Sequence, residues 1–202
     1  MEQLHKAPSD IFDKVIEAWK SWRSSSETIP TKKDIRPQAL HRYLPHIVLM
    51  DYEGDGIARY TLIGEQVKEL YARQMVNENT HNIKPATQEQ IPIHRQLVKG
   101  INDYRCGIVT HRRLNDERSI QWNMKILSLP LAGSEGRSHF ILAVNYMPDR
   151  PEDNSAWQSM VSFDVENTII TAVKRLDLGF GVFDFPSENA KNIRDLGIER
   201  IC

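Results

Sequence analysis

Seven histidines and two cysteines are the residues from which a metal site or a nucleophilic centre would have to be built, and their spacing builds neither. Cys106 and Cys202 stand far apart, outside any C-x-x-C or mixed Cys/His metal spacing, which predicts free thiols. The closest histidines, His41 and His46, straddle Leu44-Pro45, an awkward stretch to close on one metal. Gly133-Ser134-Glu135-Gly136 has its glycines misplaced for a nucleophile elbow, and Gly179-Phe180-Gly181 lacks the third glycine of a dinucleotide fingerprint. No catalytic residue is assigned, no metal is implied, and the chain reads as a binding protein rather than an enzyme.

The chemistry that remains is recognition. Gly107 to Leu114 and Ser119 to Leu131 read as two strands joined by Asn115-Asp116-Glu117-Arg118. A hairpin centred on Asp116-Glu117 places Trp122 opposite His111, Met124 opposite Val109 and Ile120 opposite Arg113, all on one face. Thr110, Arg112, Gln121, Asn123 and Lys125 then fall on the other face, which suits solvent. His111 and Arg113 are misfits on the apolar face, because a buried guanidinium must find a carboxylate or reach water. Arg113 either snorkels from the end of the sheet or pairs with an internal acid. Alternatively, His111 and Arg113 hold the anionic end of a small ligand whose apolar body lies on Trp122 and Met124, with Tyr60 completing the pocket.

Elements that would position such a site follow from periodicity. From Ser9 to Arg23, Phe12, Val15, Ile16, Trp19 and Trp22 recur at three- and four-residue steps, one stripe of an amphipathic helix. That stripe needs burial, either on the domain's own core or as an interface (Phe12, Val15, Trp19, Trp22) with a second copy of the chain. A short helix is expected from Asp34, with Leu40 and Leu44 as its buried edge and Pro45 as its stop. Ile47 to Tyr52 and Ala58 to Ile63 read as a hairpin about Gly54-Asp55-Gly56. Glu65 to Ala72 and Thr87 to Tyr104 read as helices, the second regular only from Pro92. Ser138 to Met147 is a fifth strand, and short turns force antiparallel neighbours. After a linker at Asp149 to Asn154, a short helix around Trp157 and a strand ending at Leu178 are expected, with a frayed polar tail beyond Pro186.

A length of 202 residues with 40% hydrophobic composition predicts one domain with appendages: an N-terminal helix over 1–29, a core over 30–148 and an extension over 149–202. A formal net charge of −1 leaves no field for nucleic acid. Met1 to Asp10 is polar, without the apolar core of a signal peptide, and no run is long enough to span a bilayer, so no membrane is expected and the cytoplasm is the expected compartment.

Pro30-Thr31-Lys32-Lys33-Asp34-Ile35-Arg36-Pro37, Leu40, Leu44-Pro45-His46-Ile47, Leu49 and Asp51 resemble the opening of short, stand-alone bacterial PAS-domain proteins. Gly64, Leu129-Pro130-Leu131 and Asp177-Leu178-Gly179 are similar to the same group, so the resemblance spans roughly Pro30 to Gly179. It implies an α+β fold: a five-stranded antiparallel sheet curved like a glove, with helices across its palm. It also implies sensing or signalling through protein contacts. PAS domains bind haem, flavins, acids or nothing, so the cofactor stays unknown. Cys106 precedes a strand and lacks the motif around a flavin-reactive cysteine. His94 is the one histidine well placed on the long helix to ligate haem, with His81 in the loop before it, and a lone histidine is a weak signal.

The leading expectation is therefore a sensor or adaptor that passes its signal to a separate protein and is expected to form a homodimer. Two alternatives stand beside it. One is a cone-shaped enzyme using His111, Tyr60 or Tyr146 for proton transfer; the other is a ligand-free dimerising scaffold held by Trp19 and Trp22.

Overall fold

The computed structural model describes residues 9–71, 76–80, 90–115, 121–133, 138–149, 168–185, 190 and 192–201. Helix α1 (Ile11–Ser21) is followed by three short 3-10 turns, then strands β1 (Ile47–Gly54) and β2 (Ile57–Ile63). Helices α2 (Glu65–Tyr71) and α3 (Gln90–Tyr104) precede β3 (Gly107–Asn115), β4 (Gln121–Ala132), β5 (Ser138–Tyr146), β6 (Ile169–Asp177) and β7 (Arg194–Arg200). One sheet holds all seven strands in the order β2-β1-β5-β4-β3-β6-β7. The α+β class is as expected, and the C-terminal extension adds two strands to the five anticipated for the core. Strand β6, the one expected to end at Leu178, pairs antiparallel with β3, and β7, which was not anticipated, runs parallel to β6.

Alternation along the strands divides the apolar residues between two faces. The inner face carries Val48, Met50, Ile108, Leu114, Trp122, Met124, Ile126, Ile141 and Ala143 and is roofed by Ile93, Leu97, Val98 and Ile101 of α3. The outer face carries Ile47, Leu127, Leu129, Leu131, Leu142 and Val144, and α1 covers it with Ile11, Val15, Trp19 and Trp22. Residues i, i+4 and i+8 share one side of a helix, which is why Ile11, Val15 and Trp19 all reach zero exposure together. The Trp19 indole Nε1–H donates to the Pro130 carbonyl at 2.8 Å, tying the helix to β4. Phe12, at the margin of the same stripe, meets Tyr146 edge-on at 6.0 Å.

Two expectations about the ends of the core need correction. The helix foreseen from Asp34 is a set of 3-10 turns over Lys32–Asp34, Pro37–Leu40 and Leu44–His46. Prolines at the first turn of the second and third interrupt any longer ladder of N–H donors, and Leu44 is exposed rather than buried. The tail beyond Pro186 does not fray throughout, because β7 seats its backbone on β6 and Asp195 pairs with the buried Arg175 at 2.7 Å. Its polarity, read as a sign of fraying, is that of an edge strand facing water. The helix expected around Trp157, most of the Asp149 to Asn154 linker and His81 lie outside the described residues.

The first 3-10 turn is held by a reciprocal cap. Asp34 Oδ2 accepts from the Thr31 backbone N–H at 2.8 Å and from the Thr31 hydroxyl at 2.7 Å. These bonds, the backbone one first, hold the Asp34 carboxyl below its ordinary pKa. A carboxylate depressed in the folded state stabilises above its unfolded pKa, about 3.9, and that stabilisation disappears as pH falls through the lower folded value. Asp34→Ala is expected to lose about 1 kcal/mol at pH 7. In urea denaturation the difference from the parent should shrink at pH 3; a difference independent of pH would contradict the role of the ionised carboxylate.

Candidate functional site

Between the inner face of the sheet and α3 lies a cavity of about 60 Å³. Val48 and Met50 of β1, Ile141 and Ala143 of β5, Ile126 of β4 and Ile108 of β3 form its floor, and Leu97, Val98, Ile101 and His94 of α3 its roof. A polar arc interrupts this apolar lining: Tyr60 of β2, Thr110 and Arg112 of β3, Ser128 of β4 and Asn145 of β5. Thr110, Ser128 and Asn145 are buried, and Arg112 is partly buried. The Arg112 Nε–H donates to Thr110 Oγ1 at 3.3 Å.

The expected β3–β4 pairing is wrong by three residues. Trp122 lies opposite Leu114 rather than His111, Met124 opposite Arg112, and His111 opposite Lys125. An odd shift exchanges the faces of one strand relative to the other. Trp122 and Met124 do lie on the apolar inner face, but they share it with Arg112 and Thr110, two of the five residues assigned to solvent. His111 and Arg113 project from the opposite face. There burial, followed by the charges of Lys125, Arg194 and Lys174, pushes the His111 imidazole below its ordinary pKa. Only Tyr60 among the expected pocket residues lines the cavity.

A readable signal pointed to the observed register. Ile108 and Leu114 are the apolar ends of β3 and share parity with Thr110 and Arg112, so burying those ends carries Arg112 inward. Ser128 and Asn145 gave no signal, since each sits inside a largely apolar strand and lines a cavity only once α3 packs across the sheet. The acid–base set His111, Tyr60 and Tyr146 is not brought together, because Tyr146 and His111 share the outer face and Tyr60 lines the inner cavity.

A family profile described as "PAS domain" matches residues 7–144, more than half of the chain. The chain belongs to the PAS domain family. Solved structures similar to this PAS chain include a LOV protein of Rhodobacter sphaeroides (8% identity, 73% of this chain and 72% of that chain, TM-score 0.41). A PAS domain from Colwellia psychrerythraea gives 13% identity over 55% and 93%, TM-score 0.39. The light-state LOV domain of the blue-light photoreceptor Aureochrome1 gives 12% over 60% and 94%, TM-score 0.40. A search of curated proteins returns no match.

The PAS palm of this chain does not fit a flavin or a haem. Its cavity falls well short of the roughly 300 Å³ at which drug-sized pockets begin. Cys106 is buried just before β3, its Sγ 3.5 Å from the Gly100 carbonyl, and burial pushes the thiol up to about 12, far from the thiolate a covalent adduct would use. Among the described residues no group of three or more His, Cys, Asp and Glu is placed to hold a metal ion. No helix among them is long and apolar enough to cross a membrane.

Proposed function

We propose that this PAS chain is a sensory or regulatory module of bacterial signal transduction that takes a small ligand in its palm and signals by contact with a separate protein. The observation that carries this reading is the cavity between α3 and the sheet, apolar over most of its wall and polar along one arc. Occupancy would change how α3 sits on β1, β3 and β5, and a ligand that prefers one seating shifts the population toward it. The cytoplasm is the compartment that goes with this reading. A homodimer, if formed, uses a surface other than the tryptophan face of α1, since Val15, Trp19 and Trp22 are buried on the chain's own sheet.

Native mass spectrometry of the purified chain tests the ligand. A small non-covalent adduct is expected on the parent and is expected to be missing from Ala143→Ile, which adds three carbons to the cavity wall without adding polarity. Circular dichroism and the unfolding midpoint establish that the variant is folded. An adduct of equal occupancy on both chains, or none on the parent when it is sprayed from a small-molecule extract of its expression host, would refute palm binding.

A further inference from the structure

We infer that the cavity recognises a small carboxylate, held by the Arg112 guanidinium with Asn145 and Ser128 beside it; the assignment rests on the palm being the ligand site. Arg112 brings a fixed positive charge to a lining in which no described residue is Asp or Glu. Its one hydrogen bond to a described residue, to Thr110, uses the Nε–H and leaves the two-pronged end of the fork for another acceptor. Asn145 at 7% exposure and Ser128 at 8% line the same space, and neither side chain bonds to another described residue. A partly buried cation beside buried polar groups that bond to no described residue, in a wall that is mostly apolar, is stable when an anion answers it.

Size and shape narrow the class further. About 60 Å³, where roughly 10–15 Å³ suffices to seat one water, takes a few waters or an anion of a few heavy atoms. Guanidinium forks match the planar, two-oxygen end of a carboxylate. Met50, Ile126 and Leu97 offer apolar surface for a short tail. A bulge lies beside the fork: His111 pairs with Ala172 but Arg112 with Ile170, so β6 carries one extra residue, Thr171, next to Arg112.

The test is calorimetric titration of the full chain at constant ionic strength with acetate and propionate, each beside its neutral amide, acetamide and propionamide. Propionate is expected to bind with a dissociation constant no tighter than roughly 3 µM, the ceiling for about five heavy atoms. Propionamide should bind at least tenfold more weakly. Arg112→Met should weaken propionate tenfold or more with the unfolding midpoint retained, and Arg112→Lys should recover part of the loss because it keeps the charge without the fork. Asn145→Ala should weaken propionate several-fold and leave the preference over propionamide in place. Equal binding of acid and amide, no effect of Arg112→Met, or binding of neither probe overturns the carboxylate assignment. If a native adduct sensitive to Ala143→Ile is found while propionate fails, the palm remains the ligand site and only the carboxylate class falls. If Ala143→Ile binds propionate like the parent, the anion sits elsewhere and both assignments fall.

Discussion

Trp19→Ala is expected to lower the stability of the chain by about 3–5 kcal/mol, the range for removing a large aromatic side chain from a well-packed core. Trp19 has zero exposure and sits among Leu129, Leu131 and Leu142 under α1. Its loss leaves a void and also strips the Pro130 carbonyl of the indole N–H that satisfies it at 2.8 Å. Trp19→Phe keeps most of the apolar area and loses the hydrogen bond, so a smaller loss of about 1–2 kcal/mol is expected. Urea denaturation measures both. For a chain of this size the alanine variant should melt on the order of 10 °C lower. The loss should not vary with protein concentration, because the contact lies within one chain; a loss that grows on dilution would mean that the helix holds a second subunit instead. A change below about 1 kcal/mol would contradict the packing of α1 on the sheet.

Gly56→Ala is expected to be nearly as damaging, for a different reason. Gly54, Asp55 and Gly56 all adopt positive φ in the turn between β1 and β2, and Gly56 lies directly against the backbone of Arg95 in α3. A Cβ there would sit 2.2 Å from the Arg95 carbonyl oxygen, with φ at +75°. Neither strain can be relieved by turning a side chain, since the obstacle is main chain on both sides. The left-handed conformation costs about 1–2 kcal/mol for a residue bearing a Cβ, and overpacking against rigid backbone about 1–3 kcal/mol more. The position is also where the hairpin leans on the roof of the palm. Gly56→Ala should therefore weaken any palm ligand as well as stability, whereas Gly54→Ala, which meets no atom within 4 Å, should show only the conformational part. Equal destabilisation by the two substitutions in a denaturation series would show that the approach of α3 is not the cause.

Much of this architecture was legible because it is written in local periods. The three- and four-residue steps of Phe12, Val15, Trp19 and Trp22 gave α1 to within two residues of its ends. The glycine-rich Gly54-Asp55-Gly56 gave a hairpin whose positive φ angles only such residues adopt easily. Helices α2 and α3 and strands β3, β4 and β5 followed from alternation and from the turn residues between them. Less legible was β7, because an exposed edge strand has no apolar stripe and its polar composition equally describes a loose tail.

The site divides along the same line. That a cation on the third strand would be the odd residue of an apolar face was readable from the alternation along the strand, since few other misfits compete for that role. Which cation it is was not readable, because the choice depends on where a turn is centred, and a three-residue change of register exchanges Arg113 for Arg112 at the palm. Local sequence thus determined the elements, their order and the two apolar faces that bury them. Tertiary structure alone decided the hairpin register, the side of the sheet that α1 covers, and the space left beside Ser128 and Asn145. Those three depend on contacts between residues distant in the chain, and no periodicity within a strand encodes which neighbour it will meet.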